Sequence, residues 1–183
     1  MDDSELAPDL IEPLQAWRVW SVWETDAGWR LASIHYRQIW EPEAKTAAWC
    51  YRSSRGASMG TSVLHDRHVA PVAGCQCGIY GATDAGSAGE YLVPRQGPLE
   101  SMYVSAEYRH RVLGRIALWG RTVQCVRGYR ASLGYPTQLW LPTRRPDGRA
   151  IATEPVAAGL AAYGVPVELV DAGAREDILE LVA

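Results

Sequence analysis

The chain has 183 residues, 48% of them hydrophobic and 21% charged, enough to bury a real core and unlike the composition of a disordered or fibrous protein. No apolar run approaches the roughly 20 residues that cross a bilayer, and the acidic start Met1-Asp-Asp-Ser-Glu5 lacks the basic and apolar regions of a signal peptide. A cytoplasmic protein with no membrane partner is predicted, where cysteines are reduced and more often bind metal or do chemistry than form disulfides.

The net charge of −3 hides an asymmetry, because residues 94–150 carry ten arginines against Glu100, Glu107 and Asp147, while both ends of the chain are acidic. Such a block suits a phosphate-binding face. It equally suits internal neutralisation by the acidic ends.

In chain order, residues 1–15 read as a flexible acidic lead-in, and residues 16–183 as a single domain. Within it, 16–49 form a Trp-rich hairpin: Trp- and Val-rich runs flank Asp26-Ala-Gly28, a turn signature. The spacing of Trp17, Trp20 and Trp23 also fits a helical face, but the turn favours strands. Ala44 to Trp49 can form a short helix. Residues 50–80 form a candidate metal-binding loop, and 81–111 a flexible, Gly- and Pro-containing connection. Alternation over Arg115–Cys125 predicts a strand, with Gly120 marking a bulge. Gly128 turns the chain into a strand containing Gln138–Leu141, completing the basic strands of 112–142. Arg144-Arg-Pro-Asp-Gly148 is a further turn. Over 151–183 the period changes to helix–strand–helix. Thr153 is placed as N-cap, Val156, Leu160 and Tyr163 form an apolar stripe, Gly164 ends it, and Arg175–Val182 forms the last helix. The fold class is therefore α+β: a mostly antiparallel sheet or small open β-barrel, with a metal-stapled loop and a C-terminal helix–strand–helix.

The motif His68-Val-Ala-Pro71-x-x-Gly74-Cys75-Gln-Cys77-Gly78-Ile79-Tyr80, with Cys50 upstream, gathers three of the four cysteines. Thiolate and imidazole are preferred zinc ligands, and four of them close a tetrahedral shell. Cys50, His68, Cys75 and Cys77 are assigned as ligands, with His65 the alternative to His68; Gly74 and Gly78 let the backbone turn around the ion. Four protein ligands leave no open position, so the ion, zinc or iron, is structural. Two other readings stay open: thiols as small buried hydrophobes, and a redox or nucleophilic cysteine. Zinc-deaminase chemistry is excluded, because no His-x-Glu and no Cys-x-x-Cys occurs. Walker, dinucleotide and nucleophile-elbow motifs are also absent.

The basic strands interleave Arg109, Arg111, Arg115, Arg121, Arg127 and Arg130 with Tyr129 and other aromatics. Arginine grips phosphate bidentately and exposed rings stack on bases, so the mixture suits nucleic acid. The competing reading is that the rings are core and the arginines a solvated face.

His68-Val-Ala-Pro-x-x-x-Cys-x-Cys-Gly-Ile-Tyr80 and Leu118-Trp-Gly-Arg-Thr-Val-x-x-x-Arg-Gly-Tyr-Arg-Ala131, followed by Tyr135-Pro136, resemble segments of a group of small uncharacterised actinobacterial proteins. The resemblance covers roughly residues 16–170 and carries no activity. The strand arrangement is loosely similar to small β-barrels that read modified bases or RNA, an analogy of fold alone. The function expected is a non-enzymatic, metal-stabilised binding module with nucleic acid as ligand. The first alternative is a protein–protein adaptor docking through the Trp-rich face or acidic ends, and the second an enzyme.

Overall fold

The computed structural model describes residues 12–34, 38–50, 68–93 and 110–182. His65, Arg109 and the polar loop of 52–64 lie outside them. The described residues form β1 (Leu14–Thr25), β2 (Gly28–Ala32), β3 (Ile39–Trp40), β4 (Thr46–Ala47), β5 (Ile79–Ala82), α1 (Ala85–Gly89), β6 (Arg111–Cys125), β7 (Gly128–Pro142), α2 (Glu154–Leu160), a 3-10 turn (Ala161–Tyr163), β8 (Val167–Val170) and α3 (Arg175–Val182).

The first hairpin follows the turn chemistry. The Thr25 hydroxyl accepts from the Ala27 amide and donates to the Gly28 carbonyl, closing a two-residue loop in register Thr25 with Gly28. Along β1, Ala16, Trp20 and Val22 enter the main core, whereas Val19 and Trp17 join a second cluster on the opposite side. That is the period-two division of a strand buried on both faces.

All eight strands belong to one sheet, antiparallel throughout except for β8, which lies parallel to β7. The long hairpin β6–β7 is its spine. One edge of β6 pairs with β1 and the other with β7. The free edge of β7 is shared in succession by β5 at residues 128–131, β4 at 133–134 and β8 at 139–142. Gly120, at φ +76°, lies in a register shift between Trp119 and Thr122, the bulge expected there. A Cβ at that position would collide with the Ser132 hydroxyl.

Helices cover both faces. On one, Val156, Leu160 and Tyr163 of the α2 segment pack on Trp20, Leu31, Trp40, Ile116, Leu118 and Leu139. On the other, Ala88 of α1 and Ile178 of α3 pack on Val19, Leu113 and Trp140. The Tyr163 hydroxyl enters the β2–β3 ladder. It accepts from the Leu31 amide at 2.9 Å and donates to the Trp40 carbonyl, joining the paired residues Leu31 and Trp40. Burial pushes its pKa up to about 12.

Two local expectations are corrected, and a third, the N-cap at Thr153, is met without its side-chain bond. Residues 44–49 form no helix: Thr46–Ala47 is the strand β4, because the edge of β7 offers backbone partners that outweigh the helix preference of Ala and Lys. The connection of 81–111 is not unstructured along its length. It completes β5 and holds α1, where the Asp84 carboxylate accepts from the Ser87 amide at 2.7 Å. Thr153 takes the N-cap position of α2 without a side-chain capping bond, its carbonyl accepting from the Ala157 amide.

Candidate metal centre

Strand β4 runs toward Ser132 of β7, and the Ala48 amide donates to the Ser132 carbonyl at 2.7 Å. Strand β5 begins opposite Ala131 on the same edge. The end of β4 and the start of β5 therefore meet head-on along β7. Cys50 follows β4, Cys75 and Cys77 precede β5, and the four candidate ligands fill this break in the ladder.

The ligand atoms of Cys50, His68, Cys75 and Cys77 all lie within 4.8 Å of one another. Sγ of Cys50 is 3.7 Å from Sγ of Cys75, and Nε2 of His68 is 3.2 Å from Sγ of Cys77. Sulfurs bound at about 2.3 Å to one tetrahedral ion stand roughly 3.8 Å apart, so the spacing fits shared coordination. It is far too long for a disulfide, and all four cysteines are free thiols. Cys50 and Cys77 are buried, and Ala70 packs with them into a small apolar cluster.

Backbone turns bring the sulfurs together. The Cys75 amide donates to the Val72 carbonyl at 3.2 Å, with Gly74 at φ +78° inside the turn. Gly78, at φ +127°, lies so close beneath Pro71 and Arg130 that a Cβ would stand 3.1 and 3.0 Å from theirs. Positive φ and lack of space both demand glycine there.

The thiols divide in acidity. Burial opposes ionisation of Cys75, but hydrogen bonds from the Cys77 backbone, from Cys77 and Cys50 side chains and from His68 outweigh it and bring the pKa down to about 7. At Cys77, burial and then the neighbouring sulfurs push the value up to about 11. Concentrating thiolate charge here is unfavourable until a cation shares it.

Arg130, read from sequence as a nucleic-acid contact, is 6% exposed. Its Nη1 donates to the carbonyls of Cys75 and Cys77, the latter at 3.1 Å, and its Nε donates to Sγ of Cys125 at 3.3 Å. The side chain clasps the cysteine turn from beneath instead of facing solvent. The other arginines have varied surroundings. Arg111 donates to the Tyr91 carbonyl, and Arg115 lies 4.6 Å from the Trp17 ring, which stacks on Trp140. Arg127 pairs with Glu90 at 2.5 Å, and Arg121 is exposed with Nη1 3.5 Å from the Val69 carbonyl. Tyr129 is half-buried against the main core. Part of the basic block meets the acidic end directly, through Arg144 and Asp171 at 2.7 Å.

Two residues that line one cavity with Cys50, Cys75 and Cys77 were not singled out from sequence. Cys125 joins the centre only through Arg130. Arg18 is the second, and its signal was legible: it is a charge in line with Ala16, Trp20 and Val22, the core-facing positions of β1.

Among the described residues no helix is long and apolar enough to cross a membrane. Comparison with protein-family models, curated proteins and solved structures found no match to this chain.

Proposed function

We propose that this chain is a non-enzymatic binding module whose fold is stapled by one structural zinc ion on Cys50, His68, Cys75 and Cys77. The observation that carries the reading is the convergence of these four ligand atoms within 4.8 Å at the junction of two strands. Three sulfurs and one nitrogen form a donor set suited to tetrahedral zinc, and four protein ligands leave no position for an activated water. The ion's contribution is then folding free energy, joining Cys50 to the turn of 68–77 across a break that hydrogen bonds alone leave open. Metal analysis of untagged protein tests this: close to one equivalent of zinc is expected, and a well-folded, metal-free protein overturns it.

Nucleic-acid binding is the second reading, favoured by the exposure of Arg121 and Arg127 on the basic hairpin. Its support is narrower than composition suggests, since Arg130 is buried and Arg127 is already paired with Glu90. Titration against generic DNA and RNA at increasing salt decides it. Affinity that falls steeply with salt, with a shallower slope in the Arg121→Ala, Arg127→Ala double variant, supports phosphate contacts; no binding at low salt excludes them.

A further inference from the structure

Strands β1 and β5 share a single residue pair, Trp17 with Ala82, and then splay apart. Where the next ladder bonds would form, Arg18 reaches across instead, donating from Nη1 to the Tyr80 carbonyl at 2.6 Å. Its Nη2 lies 3.4 Å from the Ser33 hydroxyl, which accepts from the Trp40 indole at 3.1 Å. The guanidinium stands 5.1 and 5.8 Å from the Trp40 and Trp20 ring centroids. Beside it lies a cavity of about 560 Å³, lined by polar groups that include Arg18, Ser33, Gln38 and Arg127, by Trp17 and Tyr80, and by the candidate ligands Cys50, Cys75 and Cys77.

Among the described residues the charge at this position has no counter-ion. Among the described residues no carboxylate lies within ion-pair distance of Arg18, and its Nε is buried without a hydrogen-bond partner. Burial alone lowers its pKa to about 10. Arg18 is half-buried with its Nε shielded from water, and a guanidinium partly withdrawn from water gains from a partner for its charge and donors. Its two Nη groups have neutral partners, and its charge meets the faces of Trp20 and Trp40 but, among the described residues, no carboxylate. A cavity of this volume takes a small molecule, and its apolar wall with few polar groups is typical of such sites.

We propose that this cavity binds a small molecule carrying an oxyanion, carboxylate or phosphate, on a flat apolar body, with Arg18 as the counter-ion of the head group. Paired oxygens of a carboxylate or a phosphate match the guanidinium fork, and the aromatic wall accepts the body. The inference rests on the binding-module reading and gives the module its ligand class; Cys50, Cys75 and Cys77 share the cavity wall, so the test separates a contact with Arg18 from one with the metal.

The test is isothermal titration calorimetry of the full chain with naphthoate, naphthyl phosphate and the neutral naphthamide, zinc content being measured on the same sample. At least one acid should bind saturably at one per chain, roughly tenfold or more tighter than the amide, as expected for a charge-assisted contact to a buried group. The tighter acid identifies the head group as carboxylate or phosphate. Arg18→Gln should erase the preference for acid over amide. Ala48→Phe adds bulk to the cavity wall and leaves Arg18 unchanged, so it should weaken binding of both acids by about tenfold or more in samples whose zinc content matches the parent, a check needed because Ala48 also packs on the cysteine cluster. The inference is overturned if neither acid binds at several millimolar, if the amide binds as well as the acids, or if folded Arg18→Gln binds them unchanged. Should Arg18→Gln fail to fold, the acid–amide contrast and Ala48→Phe decide. Zinc without acid binding sinks this inference and spares the metal reading; acid binding by a zinc-free protein does the reverse.

Discussion

Nη1 of Arg130 donates to the carbonyl of Cys77 at 3.1 Å, from a side chain only 6% exposed. One guanidinium thus ties the cysteine turn to β7 and, through Cys125, to the end of β6. Arg130→Ala leaves the Cys75 and Cys77 carbonyls without this donor in a buried setting, a loss of about 3 kcal/mol. Removing a group that orients ligands also weakens metal affinity roughly 10- to 100-fold. Denaturant unfolding and chelator competition measure the two effects, and a variant matching the parent in both contradicts the assignment.

Gly78 leads to a second expectation. With φ +127° and neighbours 3.0 and 3.1 Å from an added Cβ, Gly78→Ala must shift either Arg130 or Pro71. The cost is about 1–3 kcal/mol from the backbone conformation. Reduced zinc retention on dialysis should accompany the loss of stability, because the displaced turn carries Cys77.

The proposed zinc site predicts metal retention that depends on pH with a definite sign. Zinc requires thiolates and a neutral imidazole, while Cys77 holds its proton up to about pH 11 in the metal-free cluster. Binding therefore releases protons, and acidification strips the ion. Calorimetry in buffers of different ionisation enthalpy should detect the released protons, and apparent affinity should rise with pH, through about 7 where Cys75 ionises and on toward about 11 where Cys77 does. Cys50→Ser and Cys77→Ser should each lower the zinc content well below one equivalent.

Tyr163 supplies an alkaline signature. Its folded pKa, about 12, is raised above the ordinary 10.0. Its contribution is then fully present below pH 10 and is lost as pH rises through the folded value, because the phenolate cannot donate to the Trp40 carbonyl. Tyr163→Phe should destabilise the protein by about 1–3 kcal/mol at neutral pH. It should also remove this group's share of the stability loss between about pH 10 and 12, as read from unfolding curves.

Several features were legible in the sequence because neighbours along the chain determine them. The hairpin around Asp26–Gly28, the stripe Val156–Leu160–Tyr163 closed by Gly164, and the helix Arg175–Val182 all follow from turn chemistry and side-chain periodicity. The Cys/His cluster was legible for a chemical reason: few residue types bind zinc, and three cysteines and two histidines between residues 50 and 77 are an unusual concentration. Tertiary structure alone decided the remainder. Thr46–Ala47 became a strand because β7 had a free edge beside it. Arg130 became a buried clasp because the cysteine turn packed onto its face of β7; alternation gives the side of a strand but not what covers that side. Arg18 shows the same limit. Its core-facing position could be read from the sequence, but the splay of β1 from β5, which sets its charge beside a cavity, depends on strands more than sixty residues apart.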